Sequence, residues 1–97
     1  MAHGSSDRDR QVIAPHLVTE VPGPLAREHV AYDETWTSRS LPRAYPFVPR
    51  RGSGATIEDV DGNTFIDFAA GIAVNSTGHS HPDVVAAIQA QAADLLH

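Results

Sequence analysis

Apolar positions change their spacing several times along this chain. Over residues 1–24 they are scattered among polar side chains, and Pro15, Pro22 and Pro24 interrupt every run. This predicts a flexible or extended N-terminal arm with too little apolar character to nucleate a core. From Leu25 to Thr37, the positions Leu25, Glu28/His29, Tyr32 and Trp36 recur at steps of three or four. That spacing predicts a first helix over 25–37, with Tyr32 and Trp36 supplying most of its buried area. Residues 38–54 contain Pro42, Pro46 and Pro49, then Gly52 and Gly54. Proline fixes φ and removes a backbone donor, so neither a helix nor a central strand fits. An extended segment is expected, with Tyr45, Phe47 and Val48 as possible anchors.

Alternation appears next. Ala55–Val60 and Thr64–Phe68 flank Asp61-Gly62-Asn63, and Asp-Gly supplies the positive φ that a tight hairpin needs. In the second run Phe65 and Asp67 share one face, and Ile66 and Phe68 the other. An isolated hairpin is marginal in water, so it needs a third strand or a helix to pack on. From His81 the spacing becomes helical. Pro82 suits a first helical turn, Asp83 favours the positive end of the helix dipole, and Val84, Val85, Ile88, Ala92, Leu95 and Leu96 form one stripe. The stripe reaches Leu96 with no glycine cap, so the helix is expected to run from 82 to 97 and looks cut rather than finished. The pattern thus predicts an α+β chain: an arm and helix, a small antiparallel sheet, then a C-terminal helix. Its two expected parts are the arm, 1–24, and an incomplete domain portion, 25–97.

Composition narrows the chemistry. The chain has 97 residues, of which 41% are hydrophobic and 20% charged, with a net charge of −5 and no basic run. Long-range attraction to nucleic acid or an anionic membrane is not expected. No secretory leader and no stretch long enough to span a bilayer is visible, so a soluble, cytoplasmic protein is expected. There is no cysteine, which excludes thiolate chemistry. All seven basic residues are arginine. Without lysine, this chain alone cannot form a lysine Schiff base.

His79 and His81 raise a metal reading. A His-x-His-x-Asp run occurs in metallo-β-lactamase-like hydrolases, but there the pattern continues with another histidine, and position 84 here is valine. Three or four ligands must converge, and the other histidines have no patterned spacing. The preferred reading is structural: Gly78 turns the chain, His79 or His81 satisfies free helix N–H groups, and Pro82 starts the helix. No metal ligand is assigned. Glu58, Asp59, Asp61 and Asp67 fit a solvated turn better than an acid–base pair. Ser76 and Thr77 near His79 lack a visible orienting group. Gly52-Ser53-Gly54 precedes no helix, so it is a poor phosphate cradle.

Taken in order, several segments resemble the N-terminal region of class III pyridoxal-phosphate-dependent aminotransferases. They are Gly54-Ala55-Thr56, Asp59-Val60-Asp61-Gly62-Asn63, Phe65-Ile66-Asp67-Phe68, Ala70-Gly71-Ile72-Ala73-Val74, Gly78-His79-Ser80-His81-Pro82 and Val84–Gln91. The branches most resembled act on 4-aminobutyrate and acetylornithine. The resemblance implies part of the small domain of a fold type I enzyme that works as a homodimer or higher oligomer. It implies a parent that moves an amino group from an ω-amino acid or related amine to a 2-oxo acid, using pyridoxal 5'-phosphate. It places Ile72, with Gly71, Ala73 and Val74, in the substrate wall, and Gly78, His79, His81 and Pro82 in a structural turn behind it. The family's Schiff-base lysine and cofactor-binding residues come later than this sequence extends. The chain therefore reads as an inactive N-terminal fragment with no catalytic or cofactor-binding residue, contributing a pocket wall and a subunit interface. Two alternatives are a small self-associating interaction module and a zinc hydrolase fragment. Poor stability of the isolated chain is also expected, because hairpin and helix each present an apolar face with few partners.

Overall fold

The computed structural model describes residues 13–97. The half of the expected arm before residue 13 lies outside the described residues. In chain order the elements are α1 (Pro24–Trp36), β1 (Pro49–Ser53), β2 (Thr56–Asp59), β3 (Thr64–Ile66), α2 (Ala70–Ala73) and α3 (Pro82–Ala92). The strands form one antiparallel sheet in the order β1-β2-β3.

The hairpin appears where alternation and Asp-Gly place it. Its loop holds three residues, Val60, Asp61 and Gly62, closed by the bond from Asp59 N to Asn63 O. Gly62 takes the left-handed position (φ 89°), the usual role of glycine at the end of a three-residue hairpin loop. The third strand it needs is β1, in the segment whose prolines argued against a central strand. β1 is an edge strand, and Pro49 is its first residue, where a missing N–H is tolerated. The ladder is irregular between Pro49 and Arg51. Before it, Phe47 meets Phe65 edge-on at 5.3 Å between ring centroids, which seats the proline-rich segment on β3.

Segment 13–19, bent at Pro15 and at Val18-Thr19, lies along the free edge of β3. His16 and Thr64 exchange both backbone hydrogen bonds, at 2.9 and 2.8 Å. Asn63 extends this contact. Its Oδ1 accepts from Val18 N and Thr19 N, while Nδ2 donates to Thr19 Oγ1 and Asp59 Oδ2. Asp59 Oδ1 in turn accepts from the Asp61 and Asn63 amides. Asp59 is 1% exposed and Asn63 fully buried, and every polar atom of the Asn63 amide is satisfied. The expectation that Asp59 and Asp61 belong to a solvated turn is therefore corrected. Asp59 is the buried organiser of the loop. Asp61 reaches 36 residues back to cap α1, its carboxylate oxygens accepting from Leu25 N and Ala26 N at 2.9 Å each. Gly23, the N-cap, has no side chain to do this, and a Cβ there would meet the Asp61 carboxyl at 2.4 Å.

Two further expectations change. Tyr32 and Trp36 are not the buried face of α1: they are 68% and 73% exposed, and the helix's buried residue is Ala26. The helix is held by polar contacts, Asp61 at its N-terminus and Arg43 on Asp33 near its far end, and these leave both rings uncovered. The last helix ends at Ala92, not at 97, and its apolar stripe has no buried residue: Val85 is partly covered, while Val84 and Ile88 are exposed. A last turn without packing has little to hold it helical.

Candidate functional site

Between β3 and α3 the chain makes one tight turn, α2, whose residues all lie in the left-handed region. φ is 54° at Ala70, 67° at Gly71, 60° at Ile72 and 66° at Ala73. Glycine adopts this freely, but an L-residue pays about 1–2 kcal/mol. Three such costs within four residues, at Ala70, Ile72 and Ala73, persist only where the surroundings over-determine the backbone, a condition common at functional sites.

Asp67 supplies much of that determination. It leaves β3, and its Oδ1 accepts from Ala69 N at 2.9 Å and Ala70 N at 2.8 Å. Its Oδ2 lies 2.6 Å from His79 Nε2. A carboxylate only accepts, so Nε2 carries the hydrogen. The His79 imidazole, followed by the backbone amides of Ala70 and Ala69, holds the Asp67 carboxyl below the usual carboxylate range. The far side of the turn closes through Asn75 N to Ala70 O at 2.8 Å and Ser76 Oγ to Ala73 O at 2.8 Å.

His79 is itself fixed to the sheet. It exchanges backbone hydrogen bonds with Gly54, at 2.9 and 3.1 Å. A Cβ on Gly52 would lie 2.9 Å from the His79 side chain, and one on Gly78 3.1 Å from Gly54 Cα. Gly52 and Gly78 thus allow the corner to approach the β1–β2 turn closely, and for Gly52 this is a role that no phosphate-cradle argument suggests. His81 is separate: its Nδ1 accepts from Asp83 N at 3.2 Å and caps α3, with Pro82 in the first turn. So His79 and His81 serve different partners. Among the described residues, no group of three His, Asp or Glu side chains converges as metal ligands. Ser76 spends its hydroxyl on the turn.

The sequence-expected wall residues Gly71, Ile72, Ala73 and Val74 all fall on or beside α2. Ile72 is 94% exposed and Val74 78%, and Phe68, at the entry to the turn, is 93% exposed. The Asp67–His79 pair was not anticipated. The two residues stand 12 apart on different elements, and only the shared motif boundaries at β3 and Gly78 hinted at it. Nothing in the chain suits a covalent aldehyde cofactor, since no lysine is present.

Residues 38–97 match the sequence model of the family described as Aminotransferase class-III. Over 84 residues, 86% of the chain, it is 44% identical to an alanine/serine racemase of Pyrococcus horikoshii, of which it covers 18%. Over 81 residues it is 44% identical to a 4-aminobutyrate aminotransferase of Mycobacterium leprae, again covering 18% of that protein. An acetylornithine aminotransferase of Methanosarcina acetivorans is 56% identical over 52 residues, 54% of the chain and 13% of the relative. Among solved structures, acetylornithine aminotransferase of Elizabethkingia anophelis superposes with a TM-score of 0.64 at 30% identity, over 72% of this chain and 17% of that one. An ornithine aminotransferase of Toxoplasma gondii, whose structure shows partial occupancy of pyridoxal phosphate at its active site, gives 0.62 at 36% identity, over 72% and 16%. The chain spans less than a fifth of the length of these proteins. Its mixed helix and three-stranded antiparallel sheet correspond to one part of a fold type I aminotransferase, and the chain belongs to the class-III aminotransferase family.

Proposed function

We propose that this chain supplies a substrate-facing wall to a class III pyridoxal-phosphate enzyme that moves an amino group from an ω-amino acid, or a related amine, to a 2-oxo acid. The observation that carries this is the outward-held Ile72 on a strained turn, 94% exposed although it is a large apolar residue. Such strain and such exposure together favour a ligand-facing role over a packing role. Gly71, Ala73 and Val74 would complete the wall, and the carbon chain of an amino donor suits its apolar character. Gly78, His79, His81 and Pro82 would brace it from behind. The chain's own residues would exclude water and shape the pocket and would transfer no proton. Pyridoxal phosphate belongs to the parent enzyme in this reading. The chain offers it no lysine, and no step of the chain's own chemistry runs through it. The parent is proposed to be a cytoplasmic homodimer or higher oligomer, with this chain contributing to the subunit interface. No helix among the described residues is long and apolar enough to cross a membrane.

The test is a graft. Residues 38–97 would replace the matching stretch of the M. leprae 4-aminobutyrate aminotransferase. The chimera is expected to transaminate, and Ile72→Ala to raise KM for the amino donor several-fold while kcat changes less. Unchanged kcat/KM for every donor tried would reject the wall role. The purified 97-residue chain is expected to show no transamination with added cofactor. The match to the racemase supports a second reading, in which the same wall faces an α-amino acid that is epimerised. A parallel graft into the P. horikoshii racemase separates the two: activity surviving only in that host favours the second.

A further inference from the structure

We propose that Asp67 is a positioning residue for Ile72: its carboxylate, clamped between the Ala69 and Ala70 amides and the His79 ring, sets the left-handed turn that presents Ile72 outward. This deepens the wall reading and rests on it for its functional meaning.

The argument runs through the connections of one side chain. Asp67 stands at the exit of β3, so its backbone belongs to the sheet; Asp67 N donates to Ala55 O at 2.8 Å. Oδ1 takes the two amides that open the turn. Oδ2 takes His79, which stands on the far side of the turn and is pinned to Gly54, the neighbour of Ala55 just before β2. One carboxylate therefore ties the start of the turn, its return and the sheet into a closed ring. The turn's internal bonds, Asn75 N to Ala70 O and Ser76 Oγ to Ala73 O, close the loop but do not orient it against the sheet. Ile72 and Phe68 are both almost fully exposed, so packing does not hold Ile72 where it stands. The orientation must come from the hydrogen bonds, and Asp67 makes the ones that reach outside the turn. Asparagine can imitate half of this: its Oδ1 still accepts from both amides. Alanine imitates none of it.

Nuclear magnetic resonance of the full chain tests this without any substrate. A residue at positive φ gives a strong intraresidue amide–Hα Overhauser effect. Ala70, Ile72 and Ala73 are expected to show it in the unsubstituted chain. Asp67→Ala is expected to abolish it at all three while the β2–β3 cross-strand contacts remain, and Asp67→Asn is expected to keep it. Retention in Asp67→Ala overturns the proposal, as does its absence from the unsubstituted chain. Amide exchange gives a second reading that needs no variant. Ala69 and Ala70 should exchange at least tenfold more slowly than unbonded loop amides, and unprotected exchange at both overturns the proposal whatever the variants do. The grafted enzyme is independent of these readouts. A turn that obeys Asp67 in a chimera indifferent to Ile72→Ala would reject the wall role and leave the positioning role standing.

Discussion

Around the β2–β3 loop the buried side chains are Asp59, Asn63 and Thr64; along and beyond α3, Val84, Ile88, Leu95 and Leu96 stand at least 43% exposed. Both regions are amphipathic in sequence, but they reach opposite ends. The loop is closed by hydrogen bonds that the chain supplies to itself, from segments 35 to 45 residues away. A polar group is satisfied by one or two well-placed partners, so a small chain can complete such a network. An apolar face needs area, and area must come from another layer of structure, which the described residues do not offer. The comparison teaches that order in this chain depends on directional bonds, and that hydrophobic burial has barely begun within it. The α2 turn sits between these regimes, tied by hydrogen bonds on its inner side and bare on its outer side.

The comparison breaks most easily at Asn63. Asn63→Ala removes the partner of Val18 N, Thr19 N and Asp59 Oδ2 in a buried place, and a cost of about 3 kcal/mol is expected. Exchange protection at Thr64 and His16 should collapse, while α3 amides change little; equal loss in both regions would end the distinction. Asp61→Ala should cost about 1 kcal/mol by uncapping α1, read as lost helical circular dichroism and faster exchange at Leu25 and Ala26.

A pH titration reaches the middle region. The folded-state pKa of Asp67 is depressed, so its stabilising contribution is fully present above the ordinary carboxylate value of about 3.9 and is lost as pH falls through the lower folded value. Amide shifts of Ala69 and Ala70 should therefore hold steady down to about pH 4 and move below it. A carboxylate transition at or above the ordinary value would contradict the pairing. The smallest effect belongs to α3. Ile88 is 61% exposed, so Ile88→Ala should change the stability of this chain by at most about 0.5 kcal/mol in a denaturant titration. A loss of 2 kcal/mol or more would mean that the face is covered, for instance by a second copy, which sedimentation would then detect.

Much of the secondary structure was legible because its signals are local. Pro82 and Asp83 mark the start of α3, and Asp61-Gly62 marks the hairpin. β1 was missed because Pro49 and Gly52 argue against a strand, and only its edge position makes them acceptable. The burial of Tyr32 and Trp36 was misjudged because spacing shows which residues share a face, not whether anything faces them. For the site, the wall residues came from ordered motifs, whereas the Asp67–His79 contact needed the return of the chain across the sheet.

By itself the sequence determined the first helix, the β2–β3 hairpin and the start of α3, the absence of lysine and thiol chemistry, and the ordered motifs of a class III aminotransferase. These depend on neighbours within a few residues, or on composition alone. Tertiary structure decided that Asp61 caps a helix 36 residues before it, that Asn63 seals segment 13–19 onto the sheet, and that Ala70, Ile72 and Ala73 turn left-handed. No local preference favours that turn in non-glycine residues. It is held by the Asp67 carboxylate, which accepts from the Ala69 and Ala70 amides and meets the His79 imidazole, 12 residues away, at 2.6 Å.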